Sequence, residues 1–212
     1  MQASLNKIKQ SKVTLCVITM QIKIDENITL DKIKESDFDN LVKYLNDNEI
    51  SDNTLVIPFP YSHTDAKWWK NHLDEFETKH KIQKGWIIRH SNSGAIGGIS
   101  LNYNTHGVVS SHKNEIGYWL AKPFWNKGIM SKVVTTFTDH CLNTLRFERI
   151  EAPIFHWNIG SEKVLEKSGF QLEGILKNYT KKGSQLIDVK MYSKLKKKYA
   201  TQQHRGKIQE QR

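Results

Sequence analysis

The stretch Glu115-Ile-Gly-Tyr-Trp-Leu-Ala-Lys-Pro-Phe-Trp-Asn-Lys-Gly-Ile-Met-Ser131 constrains the fold more than any other part of the chain. Asn114 to Leu120 reads as a strand. It runs into Pro123, and Gly128 then opens an amphipathic helix with Met130, Val133, Val134, Phe137, Cys141 and Leu145 on its apolar face. Such a junction places the chain among sheet domains with helices packed on them. It also has chemical meaning. The first N–H groups of a helix lack intrahelical partners, and together with the positive end of the helix dipole they form a cradle for phosphate oxygens.

The remaining periodicities surround this junction. Ile22 to Ile33 alternates apolar and polar residues and predicts a strand, interrupted near Asn27. Ser36, ahead of Asp37 and Asp39, caps a first helix carrying Phe38, Leu41, Val42 and Leu45. Pro58-Phe59-Pro60 breaks regular structure, and Thr64 with Asp65 starts a second helix bearing Trp68, Trp69, His72, Leu73 and Phe76. Trp86 to Arg89 and Ala95 to Tyr103 predict a hairpin, and Glu148 to Ile154 a further strand. Ser161 to Lys167 predicts a short helix closed by Gly169, and Phe170 to Asn178 with Leu186 to Ser193 a final hairpin. The whole is one domain of α/β (α+β) class over residues 21–193, without repeats or an internal linker. Residues 1–20 are expected to be a disordered extension, and 194–212 a basic tail.

The formal charge of +10 suggests nucleic acid or an anionic membrane until it is divided along the chain. Residues 1–12 carry three lysines and no acid, and 194–212 carry seven Lys/Arg against Glu210. The body is left near neutral at +1, but it is polarised, with −8 over residues 25–77 and +8 over 78–193. Cys16 and Cys141 stand far apart without a C-x-x-C, which argues against a disulfide framework and for a reducing, cytoplasmic location. The nine histidines form no metal-ligand spacing, so no metal is expected. The apolar run Val13 to Met20 is too short to span a bilayer.

A second element follows the glycine-opened helix: Asn158-x-x-Ser161, leading to Glu166-Lys-Ser-Gly-Phe170. Together the two elements resemble the GNAT superfamily of acyl-CoA N-acyltransferases, and within it the RimJ/RimL-like branch that acetylates protein N-termini. Leu172-Glu-Gly174, Asp188-Val-x-Met-Tyr192 and Pro60-Tyr-x-x-x-Asp-Ala66 extend the likeness over residues 20–195. The resemblance implies a central mixed, mostly antiparallel sheet of about seven strands flanked by about four helices. It implies acetyl-CoA as cosubstrate, held by Trp119, Leu120, Trp125, Asn126, Lys127, Gly128, Ile129, Met130, Ser131 and Asn158. The chain departs from the family pattern at the pyrophosphate loop, where Trp125 stands for Gln or Arg and Asn126 for a glycine common in the branch.

Catalytic roles follow from the same resemblance. Where many relatives place a tyrosine that protonates the departing thiolate, this chain has Leu165; in the RimL-like branch a serine takes that role, and Ser161 matches it. The amine needs a base within reach, and Glu115 is the first candidate, since the glutamate some relatives carry on the last hairpin is Thr180. Tyr118 and Asp188 are weaker alternatives. The expected reaction is direct transfer in a ternary complex, with strand N–H groups at Trp119 and Leu120 polarising the thioester carbonyl.

The acceptor is expected to be a protein or peptide N-terminal α-amine, drawn as a cationic peptide or polyamine to the acidic segment. The alternatives are a small-molecule amine acetyltransferase and a non-catalytic CoA-binding module. The basic tail suggests a weak contact with RNA or the ribosome. No membrane association is expected.

Overall fold

The computed structural model describes residues 21–103 and 112–197. The expected extension at 1–20 and all of the basic tail after 197 lie outside the described residues.

The opening segment reverses on itself. Asp25 Oδ1 accepts from the N–H groups of Asn27 and Ile28, both at 3.0 Å, and the resulting turn folds β1 (Ile22–Lys23) antiparallel against β2 (Ile28–Asp31). The single interrupted strand expected there is thus a small hairpin, which raises the strand count to eight.

Ser36 does not cap the first helix. A 3-10 turn over Glu35–Asp37 leads into α1 (Phe38–Leu45), and Asp37 Oδ2 accepts from Lys34 N–H at 2.8 Å at its start. Asp47 caps a one-turn helix α2 (Asn48–Asp52) by accepting from Glu49 N–H. Sequence reading missed it because a five-residue helix shows no apolar period. The third helix, α3 (His63–His80), starts one residue earlier than Thr64, behind a Ser62/Asp65 capping box.

Six of the remaining elements are strands: β3 (Gly85–His90), β4 (Gly94–Asn102), β5 (Lys113–Leu120), β6 (Arg149–Phe155) and the long hairpin β7 (Gln171–Lys182) and β8 (Gln185–Leu195). Helix α4 (Ile129–Asn143) follows β5, and α5 (Ile159–Lys167) follows β6. The sheet order is β1-β2-β3-β4-β5-β6-β8-β7, antiparallel throughout except for β5 with β6.

The period of two divides the core between the faces. Trp86 and Ile88 pack with Val133, Phe137 and Leu165 of α4 and α5, while Ile87 packs with Leu41, Leu45 and Ala66 of α1 and α3. Gly97 and Gly98 let β5 approach β4. A Cβ on Gly97 would lie 2.6 Å from the Trp119 carbonyl oxygen, and one on Gly98 2.8 Å from the Trp119 indole nitrogen.

At the C-terminal end β8 runs two residues past the boundary drawn at 193. Lys194 Nζ bonds Thr138 Oγ1 at 3.0 Å and Asp139 at 2.9 Å, so this lysine belongs to the sheet rather than to the tail.

Candidate active site

The parallel pair at the centre of the sheet is brief. β5 and β6 are in register only at Lys113↔Arg149, Asn114↔Ile150 and Glu115↔Glu151. Beyond that point β5 stays with β4 and β6 stays with β8, and Pro153 has no N–H with which to extend the ladder. A cavity of about 600 Å³ opens between the diverging strands. Its wall brings together Glu115, Tyr118, Trp119, Asn158 and Ser161.

Glu115 sits at the point of divergence. Asn102 Nδ2 donates to Glu115 Oε1 at 2.9 Å, and burial pushes the carboxyl above the ordinary carboxylate range. That shift suits a proton acceptor. The two weaker alternatives are placed otherwise. Burial raises the Tyr118 phenol well above its usual value, so it stays protonated, and its hydroxyl donates to the Ser161 carbonyl at 3.4 Å. Asp188 accepts from Lys177 Nζ at 2.8 Å and from Asn178 N–H at 2.9 Å, and these bonds hold it below the usual range.

Asn158 is the N-cap of α5, and its Oδ1 accepts from Ser161 N–H at 2.9 Å. Asn158 also lines the cavity. Glu162, next along the helix, receives Lys190 Nζ at 2.8 Å and the Tyr192 hydroxyl at 2.9 Å from β8, which fixes the first turn of α5 and with it Ser161. Leu165 is fully buried in the core and carries no proton to donate. Thr180 lines the cavity but has no acid function.

The pyrophosphate loop lies apart from the cavity wall. The Trp125 indole N–H donates to the Leu120 carbonyl at 2.6 Å, so this side chain ties the loop to the end of β5 and keeps no polar atom for phosphate. Asn126 (φ 60°) and Gly128 (φ 72°) both take the left-handed conformation. Asparagine is among the side chains that best tolerate it, which accounts for Asn126 where glycine is common.

Gly128 caps α4 without a side chain, and no acid occupies the first turn. The first intrahelical bond is Lys132 N–H to Gly128 O at 3.2 Å, which leaves the N–H groups of Ile129, Met130 and Ser131 facing outward. A Cβ on Gly128 would meet nothing within 4 Å, so an anion can approach the backbone directly. Lys127 stands 5.5 Å from the Phe124 ring centroid. The Met130 side chain is buried in the core, so only its backbone can serve a ligand. Ser168 Oγ donates to the Ser131 carbonyl at 3.2 Å, locking the end of α5 to the start of α4 and thereby the two motifs to each other.

The residues thus suit a long ligand with an anionic end at α4 and a reactive end between β5 and β6. The sequence profile of the acetyltransferase (GNAT) domain matches residues 27–171. The chain belongs to the GNAT acetyltransferase family. It is 31% identical over 181 residues to the uncharacterized N-acetyltransferase p20 of Bacillus licheniformis, an alignment covering 85% of this chain and 99% of that protein.

Two solved structures share the fold. The microcin C7 self-immunity acetyltransferase MccE, solved with acetyl-CoA and AMP, aligns at a TM-score of 0.72 and 22% identity over 82% of this chain and 96% of its own. RimL, the ribosomal L7/L12 α-N-protein acetyltransferase solved with coenzyme A, aligns at 0.69 and 20% over 83% and 98%.

As a GNAT acetyltransferase the chain is an acetyl-CoA-dependent acyltransferase with a mixed eight-stranded sheet. Among the described residues no group of three or more His, Cys, Asp or Glu could hold a metal ion, and no helix is long and apolar enough to cross a membrane.

The sequence reading passed over three cavity residues. His72 was a position on a helix face, Lys84 lay ahead of the predicted strand from Trp86 to Arg89, and Asn102 lay within the one from Ala95 to Tyr103; only the i,i+4 pairing of Trp68 with His72 offered a local hint.

Proposed function

We propose that this GNAT acetyltransferase moves the acetyl group of acetyl-CoA to a primary α-amine by direct transfer in a ternary complex. The observation that carries this reading is the cavity that opens where β5 and β6 part, with Glu115 and Ser161 both in its wall. The N–H groups of Ile129, Met130 and Ser131, with Lys127, hold the cosubstrate's phosphates, and the Asn158 amide orients its arm.

Glu115 takes the proton from the amine, directly or through one water. As the new N–C bond forms and the C–S bond breaks, the Ser161 hydroxyl supplies a proton to the leaving sulfur. A peptide N-terminal α-amine has a reference pKa near ~8, against ~10.4 for a lysine side chain, so more of it is unprotonated and nucleophilic at neutral pH.

The walls do not support the cationic acceptor expected from the −8 segment. Its acids are largely engaged elsewhere: Asp25 with Lys132 at 2.9 Å, Asp37 with Arg89 at 2.7 Å, Glu77 with Lys32 at 2.5 Å, and Glu49 with Lys122. In the cavity wall itself the acids are Asp65 and Glu115, and Asp65 belongs to the α3 capping box. Apolar side chains surround them. Val56 is 86% exposed and Trp68 65% exposed at the mouth of the cavity. Lys182 Nζ bonds the Ser51 and Thr54 carbonyls and straps the last hairpin to the end of α2. These features favour a small acceptor with an apolar group beside its amine.

The reading is tested by incubating the protein with acetyl-CoA and a panel of α-amines while following thiol release and the mass of the product. Calorimetry showing no binding of CoA would sink it. Thiolates leave readily, so Ser161→Ala is expected to lower kcat by about ten- to a hundredfold rather than abolish turnover. An unchanged kcat would remove Ser161 from the mechanism. Gly128→Ala places a Cβ in the cradle and strains a left-handed position. It is expected to weaken CoA binding about tenfold by calorimetry and to cost about 1–2 kcal/mol of stability.

A further inference from the structure

Lys84 has no part in the transfer chemistry, yet it lines the cavity. Its Nζ lies 2.7 Å from His72 Nε2 and 4.4 Å from the Phe76 ring centroid. Among the described residues no carboxylate pairs with it, in contrast to Lys32, Lys122, Lys132 and Lys190. An ammonium can only donate, so His72 Nε2 accepts and its proton sits on Nδ1. Desolvation and the Lys84 charge both push the imidazole below its usual pKa, consistent with a neutral ring. His72 is stacked on Trp68, with centroids 5.1 Å apart and planes 4° apart, which fixes the ring that holds the ammonium. One N–H of Lys84 is used by His72, and the Phe76 face adds attraction without accepting a strong hydrogen bond. A half-buried cation with N–H groups to spare and no counter-charge suits an anion.

The register places this cation near the proposed base. Leu101 N–H donates to the Lys84 carbonyl at 2.8 Å, and the next residue, Asn102, pairs with Glu115 on β5. Lys84 and Glu115 are therefore two strand spacings apart, roughly 10 Å between backbones. Both residues line the same cavity, so one ligand there can address the two together. Beyond them lie Leu55, Val56, Trp68 and Tyr179.

Resting on the N-acetyltransferase reading above, we infer that the Lys84 ammonium, positioned by His72, is a carboxylate subsite, and that the acceptor is a free α-amino acid with an apolar side chain. The α-amine faces Glu115, the carboxylate meets Lys84, and the side chain covers Val56 and Trp68. A peptide N-terminus offers a neutral carbonyl where the carboxylate would be and loses the charge-assisted bond.

The test compares leucine with leucinamide as acceptors for the full-length protein at saturating acetyl-CoA. The amide's less basic amine favours it chemically, so a preference for leucine has to come from the carboxylate. The wild type is expected to favour leucine at least ~10-fold in kcat/KM, with Lys84→Met bringing the ratio near one and Lys84→Arg restoring part of it. Leucinamide used equally or better by the wild type, or a ratio unchanged in Lys84→Met, overturns the subsite.

Calorimetry of N-acetyl-leucine against N-acetyl-leucinamide reads the same subsite without turnover. Tighter binding of the acid in the wild type, lost in Lys84→Met, supports it, and equal binding of the two refutes it. Acetylation of leucinamide or peptides but not leucine refutes the subsite and leaves the transferase reading standing. Failure of every amine refutes the transferase reading, while the binding comparison still decides the subsite.

Discussion

Glu115→Gln is expected to lower kcat/KM for the amine by about 10²–10⁴-fold while leaving CoA binding intact, because the amide keeps the shape of the side chain and loses its capacity to accept a proton. The pH profile carries the more specific signature. Burial raises the Glu115 pKa, so the wild-type rate should fall as the pH drops through that raised value and the base becomes protonated. The acid limb should therefore lie above that of an ordinary carboxylate. In Glu115→Gln this limb should be absent, leaving the titration of the amine itself. Asn102→Ala removes the hydrogen bond that favours the charged form and should move the limb to higher pH. A Glu115→Gln profile identical in shape to the wild type would assign the base elsewhere.

The second large effect is on stability and lies far from the chemistry. Asp37 is 2% exposed and receives Arg89 in a two-point contact, Nη1 to Oδ1 at 2.7 Å and Nη2 to Oδ2 at 3.0 Å. It also accepts from Lys34 N–H at 2.8 Å, so a single carboxylate joins β3 to the start of α1. Removing one partner of a buried pair strands the other charge at a cost of about 3–5 kcal/mol. Asp37→Ala is expected near the lower end, since Arg89 keeps Asp31 at 3.4 Å and a carbonyl contact with Lys32 at 3.3 Å. Chemical denaturation should show a reduced midpoint with an unchanged slope. A loss below about 1 kcal/mol would mean that the pair is weaker than its geometry implies.

Asp37 also shows where local sequence reading stops. In the sequence it is an acid in the first turn of a helix, a residue for dipole and cap. In the fold it is the buried partner of Arg89, 52 residues away, and no local pattern records that pairing. Trp125 is a similar case. As a letter in a phosphate-loop pattern it is a departure; in three dimensions its indole closes the loop onto Leu120.

Asn158 and Ser161 were legible as a helix start because capping is a local event, confirmed by the Asn158 Oδ1 bond to Ser161 N–H. Gly128 was legible for the same reason, since only a residue tolerant of positive φ opens that helix easily.

The charge division had a mixed outcome. The acids of residues 25–77 were expected to steer a cation toward the acceptor site. The fold instead places their partners across the molecule: Lys132 on α4 for Asp25, and Lys122 beside the phosphate loop for Glu49. A net charge summed over a segment cannot anticipate such pairings, because each depends on which surfaces the fold brings within a few ångströms. Lys84, which pairs with no carboxylate among the described residues, lay in the half summed as basic and had no distinguishing neighbours in sequence.

By itself the sequence determined what short-range physics fixes: the order of helices and strands, the left-handed glycine before α4, the cap of α5, and the paired motifs that identify a GNAT acetyltransferase. The tertiary structure decided what depends on distance. It turned the first strand into a hairpin, parted β5 from β6 after Glu115, raised the pKa of that carboxyl by burial, and drew Lys84, His72 and Glu115 from three separate elements into one cavity. Periodicity and capping act over a few residues and leave a local pattern. Desolvation and convergence arise only when remote segments exclude water together, and nothing in the local sequence encodes them.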